Sequence, residues 1–232
     1  MKITKPTFSS SVICADPLNI ENDILKLESL GHQYLHIDIM DGSYVPRFGI
    51  FPEICQRISE IAPNMLQDCH VMCDDPEFVI DQFSGIENIT NFTFHIDGNE
   101  KNAVRIIDKI RKLDKTAGIA LNMGSSFEST IRIIKHLNVD FVLFLGIHPG
   151  VLSQTAKPKF LANSIVEFKQ RLIKNNVNPN DITIQVDGGV SFETIPDLIK
   201  SGATFFVGGN ATIFKERKIV ENSNRIKSMM FV

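Results

Sequence analysis

The sequence predicts an α/β protein in which eight parallel strands, each followed by a helix, close into a (β/α)8 TIM barrel. Three observations support this. Runs with a two-residue period alternate with amphipathic runs of helical period along all 232 residues. Several strand runs, such as Phe141–Ile147 (FVLFLGI), are apolar on both faces, as parallel strands covered on each side must be. The competing doubly wound sheet favours a glycine-rich dinucleotide turn after its first strand, and the run from Ser11 to Leu18 (SVICADPL) has no glycine.

Strands are expected at Phe8–Cys14, Tyr34–Ile39, Leu66–Met72, Asn91–His95, Thr116–Asn122, Val139–Ile147, Ile182–Val186 and Thr204–Val207. The helices between them are expected at Leu18–Leu30, Pro52–Ile61, Pro76–Phe83, Lys101–Leu113, Phe127–Leu137, Lys159–Lys174 and Phe192–Ser201, with a last one over Ile219–Met229. In the first helix Ile20, Ile24, Leu27 and Leu30 form the apolar stripe and Glu21, Lys26 and Glu28 the solvent face. No linker or charge block divides the chain, so one domain over residues 1–232 is expected.

Composition narrows the function classes. With 43% hydrophobic and 22% charged residues the chain is neither disordered nor fibrous. A net charge of −3 gives no basis for binding nucleic acid or an anionic membrane, and no apolar run approaches the roughly 20 residues of a membrane span. Cys14, Cys55, Cys69 and Cys73 form no CxxC pair, and the first ten residues lack a signal-peptide core. A reduced, cytoplasmic chain is the expectation.

Barrel chemistry takes place at the C-terminal ends of the strands. On the second strand His36, Asp38 and Met40 share one face and Leu35, Ile37 and Ile39 the other; the branched set belongs against the helices, which turns His36 and Asp38 inward. The third strand repeats the pattern with Asp68, His70 and Met72, and Asp187 ends the seventh. Buried charges demand partners or a cation, so two imidazoles and two carboxylates converging on the mouth suit one divalent ion: Zn2+, Fe2+, Mn2+ or Co2+ rather than Ca2+. The pairs Gly188-Gly189 and Gly208-Gly209, the latter followed by Asn210, end the last two strands, where backbone amides can approach an anion such as a phosphate.

These residues resemble a known family. His36-Ile-Asp38-Ile-Met40-Asp41-Gly42, Val45-Pro46, Asp68-Cys-His70-Val-Met72, Gly118-Ile-Ala-Leu-Asn122, Pro149-Gly150 and Val186-Asp187-Gly188-Gly189 are similar, in order, to the signatures of the ribulose-phosphate 3-epimerases, and the likeness runs from Ser11 to about Phe214. It implies a barrel of the ribulose-phosphate-binding type. It also implies that His36, Asp38, His70 and Asp187 hold one divalent ion and that Asp38 and Asp187 are the acid–base pair. Removing a proton beside a ketone on one face and returning one on the other needs two opposed carboxylates, with the ion stabilising a cis-enediolate. Ser11, Met40, Met72, His148, Gly150, Gly188, Gly189, Gly209 and Asn210 are the implied substrate contacts; for Met40 and Met72 plain barrel filling is an equal reading. The resemblance further implies a homo-oligomer, a dimer or a hexamer.

The chain departs from the family pattern in the substrate shell. Arg47 stands where Asn is usual, His148 replaces another Asn, and Val151-Leu152-Ser153-Gln154 replaces a loop with two glycines that helps cradle phosphate. Arg47 and His148 are open between a substrate contact and a drifting surface position. The reaction expected is D-ribulose 5-phosphate to D-xylulose 5-phosphate, with a six-carbon ketose phosphate such as D-allulose 6-phosphate, or a sugar-phosphate-binding barrel without turnover, as alternatives. A related decarboxylase would need Asp-x-Lys-x-x-Asp on a strand, and Asp38-Ile39-Met40 has no lysine.

Overall fold

Parallel hydrogen-bonded pairing runs from each strand to the next and from the last back to the first. In this computed structural model, which describes residues 2–150 and 158–230, the sheet closes in the order β1 to β8 without a crossover. The strands are β1 Thr7–Ser11, β2 Tyr34–Met40, β3 Leu66–Met72, β4 Ile89–His95, β5 Thr116–Leu121, β6 Phe141–Leu145, β7 Thr183–Asp187 and β8 Phe205–Gly208. The helices are α1 Ile20–Ser29, α2 Pro52–Ile61, α3 Pro76–Phe83, α4 Ala103–Lys112, α5 Phe127–His136, α6 Pro158–Lys174, α7 Ile195–Ser201 and α8 Ile219–Met230. All sixteen expected elements are present, and β3, α2 and α3 have the expected bounds.

The helices begin where local chemistry favours it. Pro52 and Pro76 occupy first-turn positions that need no amide donor, and the Asp75 side chain accepts from the Phe78 amide at 3.0 Å. Three strands are shorter than expected, β5 by one residue and β1 and β6 by more. β1 stops at Ser11, its last residue paired to β2, and the chain turns into a 3-10 segment over Val12–Cys14. β6 stops at Leu145, because Gly146 and Ile147 already belong to the loop over the mouth.

Outward-facing strand residues and the helices' apolar stripes form one continuous layer that includes Leu35, Ile37, Cys69, Phe92, Phe144, Phe168 and Phe206, all fully buried or nearly so. The interior is different in kind and graded along the barrel axis. At the bottom Tyr34 and Phe141 pack against Phe205 with ring centroids 5.2 and 6.0 Å away, and Ile3 closes the end. Above lies a polar layer in which Gln185 on β7 reaches across to Asp68 on β3. The residues of the barrel mouth sit one step higher. This gradient sets a dry aromatic floor beneath a charged mouth.

His32, just after α1, packs beneath the barrel with Nε2 2.9 Å from Ser223 Oγ and its ring edge-on to Phe8. Burial, with Lys227 nearby, holds its imidazole down at about 4. Because the folded value lies below the unfolded one of about 6.5, the unfolded chain takes up this proton first, so the stabilisation is present above pH 6.5 and is lost as pH falls towards 4. The difference corresponds to at most about 3 kcal/mol, less what solvent screens at a half-buried site. Denaturant unfolding between pH 4 and 7 is expected to show a shallower pH slope for His32→Gln than for the unsubstituted protein; identical slopes would reject this account.

Candidate active site

Four side chains meet at the C-terminal mouth of the barrel because three strands deliver them in register. Asp38 on β2 pairs directly with His70 on β3, His36 lies one inward step below Asp38, and Asp187 ends β7 opposite Leu145. His36 Nε2 is 3.5 Å from Asp38 Oδ1 and 3.8 Å from Asp187 Oδ2. His70 Nδ1 is 3.6 Å from each of the same two oxygens. One ligand atom from each of the four lies within 4.8 Å of all the others.

These residues fit a divalent cation on two grounds. His36 Nε2 and His70 Nδ1 are buried and have no hydrogen-bond partner, although both point into the cluster, so each keeps a lone pair or proton without a protein group to match it. Ligand bonds of about 2.0–2.2 Å in a tetrahedron place ligand atoms roughly 3.3–3.6 Å apart, close to the four separations here. The donor set of two imidazoles and two carboxylates matches ions of the zinc and iron type.

Electrostatics point the same way. Burial alone would push the His36 imidazole down, but Asp68 and Asp38 override it and hold it well above the usual histidine value. His70 is likewise raised against its burial, by Asp187 and Asp38. Burial would raise Asp38, yet His36 and then His70 hold its carboxyl far below the usual range. With no cation the cluster balances its charge with protons on the imidazoles; a bound cation would displace them.

Each histidine is held from behind. Asp68 Oδ2 accepts from His36 Nδ1 at 2.7 Å, and His70 Nε2 lies 2.8 Å from His95 Nε2 with the rings stacked. Burial and the neighbouring His70 keep His95 well below the usual histidine value. His95 lies in the core, 1% exposed, with one ring nitrogen bonded to a site histidine and Nδ1 without a partner. Ser11 at the end of β1 donates to Asp38 Oδ2 at 2.9 Å.

A strap fixes Asp38 from above. Beyond Met40 the chain loops out and returns, so that the Gly49 amide donates to Met40 O at 3.0 Å and the Ile50 amide to Asp38 O at 2.8 Å. Asp41 ties this loop to the next by accepting from the amides of Ser43, Tyr44 and Asp74 at 2.8–2.9 Å. A Cβ on Gly49 would lie 2.2 Å from Asp38 O, so only glycine passes here.

A cavity of about 150 Å³ opens above the cluster; Ser11, Asp38, Met40, Arg47, Met72 and Asp187 are on its wall, with Ile147, Pro149 and Gly150 along one side. Met40 and Met72 pack with Val45 over the site. Arg47 is thus placed on the pocket wall. His148 is exposed and, unlike its neighbours, does not line the cavity. Gly188 and Gly189 follow β7 with φ of 72° and 80°, conformations open to glycine, and Gly209 with exposed Asn210 follows β8; these four border the mouth without lining the cavity itself. Val151–Gln154 lie outside the described residues. Sequence reasoning did not foresee Cys14 on the cavity wall, because it placed that residue inside a strand that ends earlier. A larger cavity, about 340 Å³, lies at the barrel's opposite end beside Phe8, His32 and Lys227, away from the clustered ligand groups.

Comparison with known proteins agrees with this arrangement. The profile described as "Ribulose-phosphate 3 epimerase family" matches residues 7–214. The chain belongs to that family. It is therefore an isomerase, of the epimerases that act on carbohydrate phosphates. Among its relatives are the ribulose-phosphate 3-epimerases of Buchnera aphidicola subsp. Schizaphis graminum, 30% identical over 92% of this chain and 94% of theirs, and of Bacillus subtilis, 29% identical over 87% and 89%. Solved structures with the same fold include KGPDC from Streptococcus mutans (TM-score 0.68, 10% identity, 97% of each chain). Another is orotidine 5'-monophosphate decarboxylase from Methanocaldococcus jannaschii (TM-score 0.68, 13% identity, 98% of this chain and 100% of that one). Among the described residues no helix is long and apolar enough to cross a membrane.

Because Gly49 has no room for a side chain, Gly49→Ala is expected to lift the strap off Asp38, lowering stability by about 1–3 kcal/mol and weakening divalent-ion binding. Chelator competition and thermal unfolding measure both; an alanine variant with unchanged ion affinity would show that the strap does not position Asp38.

Proposed function

We propose that this epimerase interconverts D-ribulose 5-phosphate and D-xylulose 5-phosphate with one divalent ion held by His36, Asp38, His70 and Asp187. The observation that carries the reading is the pair of carboxylates, Asp38 and Asp187, brought from β2 and β7 to the same two histidines at the floor of one cavity. Inverting C3 beside a ketone requires a base on one face and an acid on the other, and two carboxylates from separate strands supply both.

In this reading Asp38 takes the C3 proton and Asp187 protonates the opposite face, the roles exchanging with direction through a planar cis-enediolate. Such an ion supplies Lewis-acid stabilisation of the charge that develops on the substrate oxygens. Ser11 orients Asp38 through its 2.9 Å hydrogen bond. Met40 and Met72 wall the cavity with apolar atoms and exclude water from the proton-transfer path. The amides at Gly188, Gly189, Gly209 and Asn210 border the mouth where a phosphate would dock, with Gly150 and His148 on the facing loop.

Ribulose 5-phosphate in D2O, followed by NMR with ion-loaded protein, is expected to give xylulose 5-phosphate carrying deuterium at C3. Asp38→Asn and Asp187→Asn should each lower kcat by roughly 10²–10⁴-fold in a protein that still folds. Chelation should abolish turnover and lower the unfolding temperature, both being restored by Zn2+ or Co2+. Turnover of D-allulose 6-phosphate in preference to the pentose would move the assignment to the six-carbon substrate. No exchange with either ketose phosphate would leave a binding barrel without turnover.

A further inference from the structure

Behind the candidate ion site the barrel buries a third carboxylate, the one that accepts from His36, which the proposed proton transfer does not use. Asp68 on β3 is 0% exposed, one inward step below His70 and beside His36 in the β2–β3 register. Among the described residues no lysine or arginine pairs with it. Its two oxygens are filled by three donors from three other strands: His36 Nδ1 from β2 at 2.7 Å, Asn91 Nδ2 from β4 at 2.6 Å, and Gln185 Nε2 from β7. An isolated carboxylate in a dry interior is costly, and packing alone does not require one. What this one does is fix a proton. A carboxylate can only accept, so Nδ1 of His36 keeps its proton, and when a cation displaces the other one it is Nε2, the buried nitrogen with no partner, that would turn a lone pair into the cluster beside Asp38 and Asp187.

We infer that Asp68 is a positioning residue for the divalent ion: it locks the tautomer and ring orientation of His36 and, by its charge, strengthens His36 as a ligand. This rests on the reading above that His36 is one of the four ligands. The second histidine lacks such help, since the group behind His70 is the imidazole of His95 and not a carboxylate. The two arms of the site are thus unequal: one ligand is backed by a carboxylate and the other by an imidazole. Asn91 and Gln185 hold Asp68 so that it cannot turn away from His36.

Asp68→Asn tests the charge with little change of shape. The new amide keeps its oxygen at the Oδ2 position for His36 Nδ1 and Gln185 Nε2, and Asn91, which faces the Oδ1 position, can turn its own amide oxygen towards the new NH2 group. Zn2+ affinity, measured by competition with a chromogenic chelator, is expected to fall about 10- to 100-fold, and the visible bands of bound Co2+ to change in position or intensity. Both readouts refer to the folded protein and do not depend on turnover. An unchanged affinity and Co2+ spectrum in Asp68→Asn would overturn the inference while leaving the ion site intact. If the unsubstituted protein bound neither ion, the ligand assignment and the inference would fall together. If it bound the ion but turned over no ketose phosphate, only the reaction would be lost. Should Asp68→Asn not fold, the unsubstituted protein still decides the matter. In Zn2+-loaded protein labelled with 15N-histidine, His36 is expected to show a slowly exchanging Nδ1 proton; a proton on Nε2 would refute the inference.

Discussion

The constraint on which the rest of this structure depends is the desolvation of charge at one end of a closed barrel. Parallel strands covered by helices leave no water inside, so each ionisable group brought into the interior must find an opposite charge or a cation. Burial would raise the Asp38 carboxyl without His36 and His70 beside it, and the two histidines would lose their protons to burial without the carboxylates. Each pair exists because of the other. A single divalent cation satisfies all four at once, which is why the cluster reads as a ligand set rather than as two separate salt bridges.

The barrel interior is arranged to make that possible. The aromatic floor of Tyr34, Phe141 and Phe205 excludes water from below, and the polar layer of Asp68, Asn91 and Gln185 meets the needs of the groups above it. From above, the Gly49–Ile50 strap clamps the end of β2 and the methionines close the wall. Stability and function therefore separate along the axis: the floor and outer layer carry hydrophobic burial, while the mouth carries groups whose burial is tolerated only because they serve as partners for one another.

Much of this was legible in the sequence because two periodicities carry it. The two-residue period of β2 and β3 alone placed His36, Asp38 and His70 on the inward face, and the apolar residues between them had nowhere to go but the helices. Capping and first-turn prolines set α2 and α3 with the expected bounds. What the periodicities could not carry was any contact between elements distant in the chain. The bond from Gln185 to Asp68 joins residues 117 positions apart, and nothing local marks either partner. The bond between His70 and His95 depends on the depth at which β4 sits against β3, and that depends on a register shift at Gln67 and Asp68 which the pattern does not encode. The early end of β1 escaped for a related reason: Val12, Ile13 and Cys14 are apolar enough to continue a strand, but the pairing with β2 stops at Ser11.

The departures from the family pattern fall where this division predicts tolerance. Asp38, His70 and Asp187 stand on strands whose neighbours on both sides are hydrogen-bonded, so a change there disturbs the charge balance of the whole mouth. Arg47 and His148 stand on loops, one on the cavity wall and one exposed beside it, and loops tolerate change better than paired strands. In the proposed reading, proton transfer and substrate holding fall to different parts of the chain with different freedom to vary. A barrel built this way could keep the proposed acid–base pair while the reach and charge of its rim are redrawn. Arg47 adds a cation to a wall whose other charged groups are the carboxylates of Asp38 and Asp187, and under the proposed function that addition would bear on which phosphate ester is held and leave the inversion of C3 to the two carboxylates.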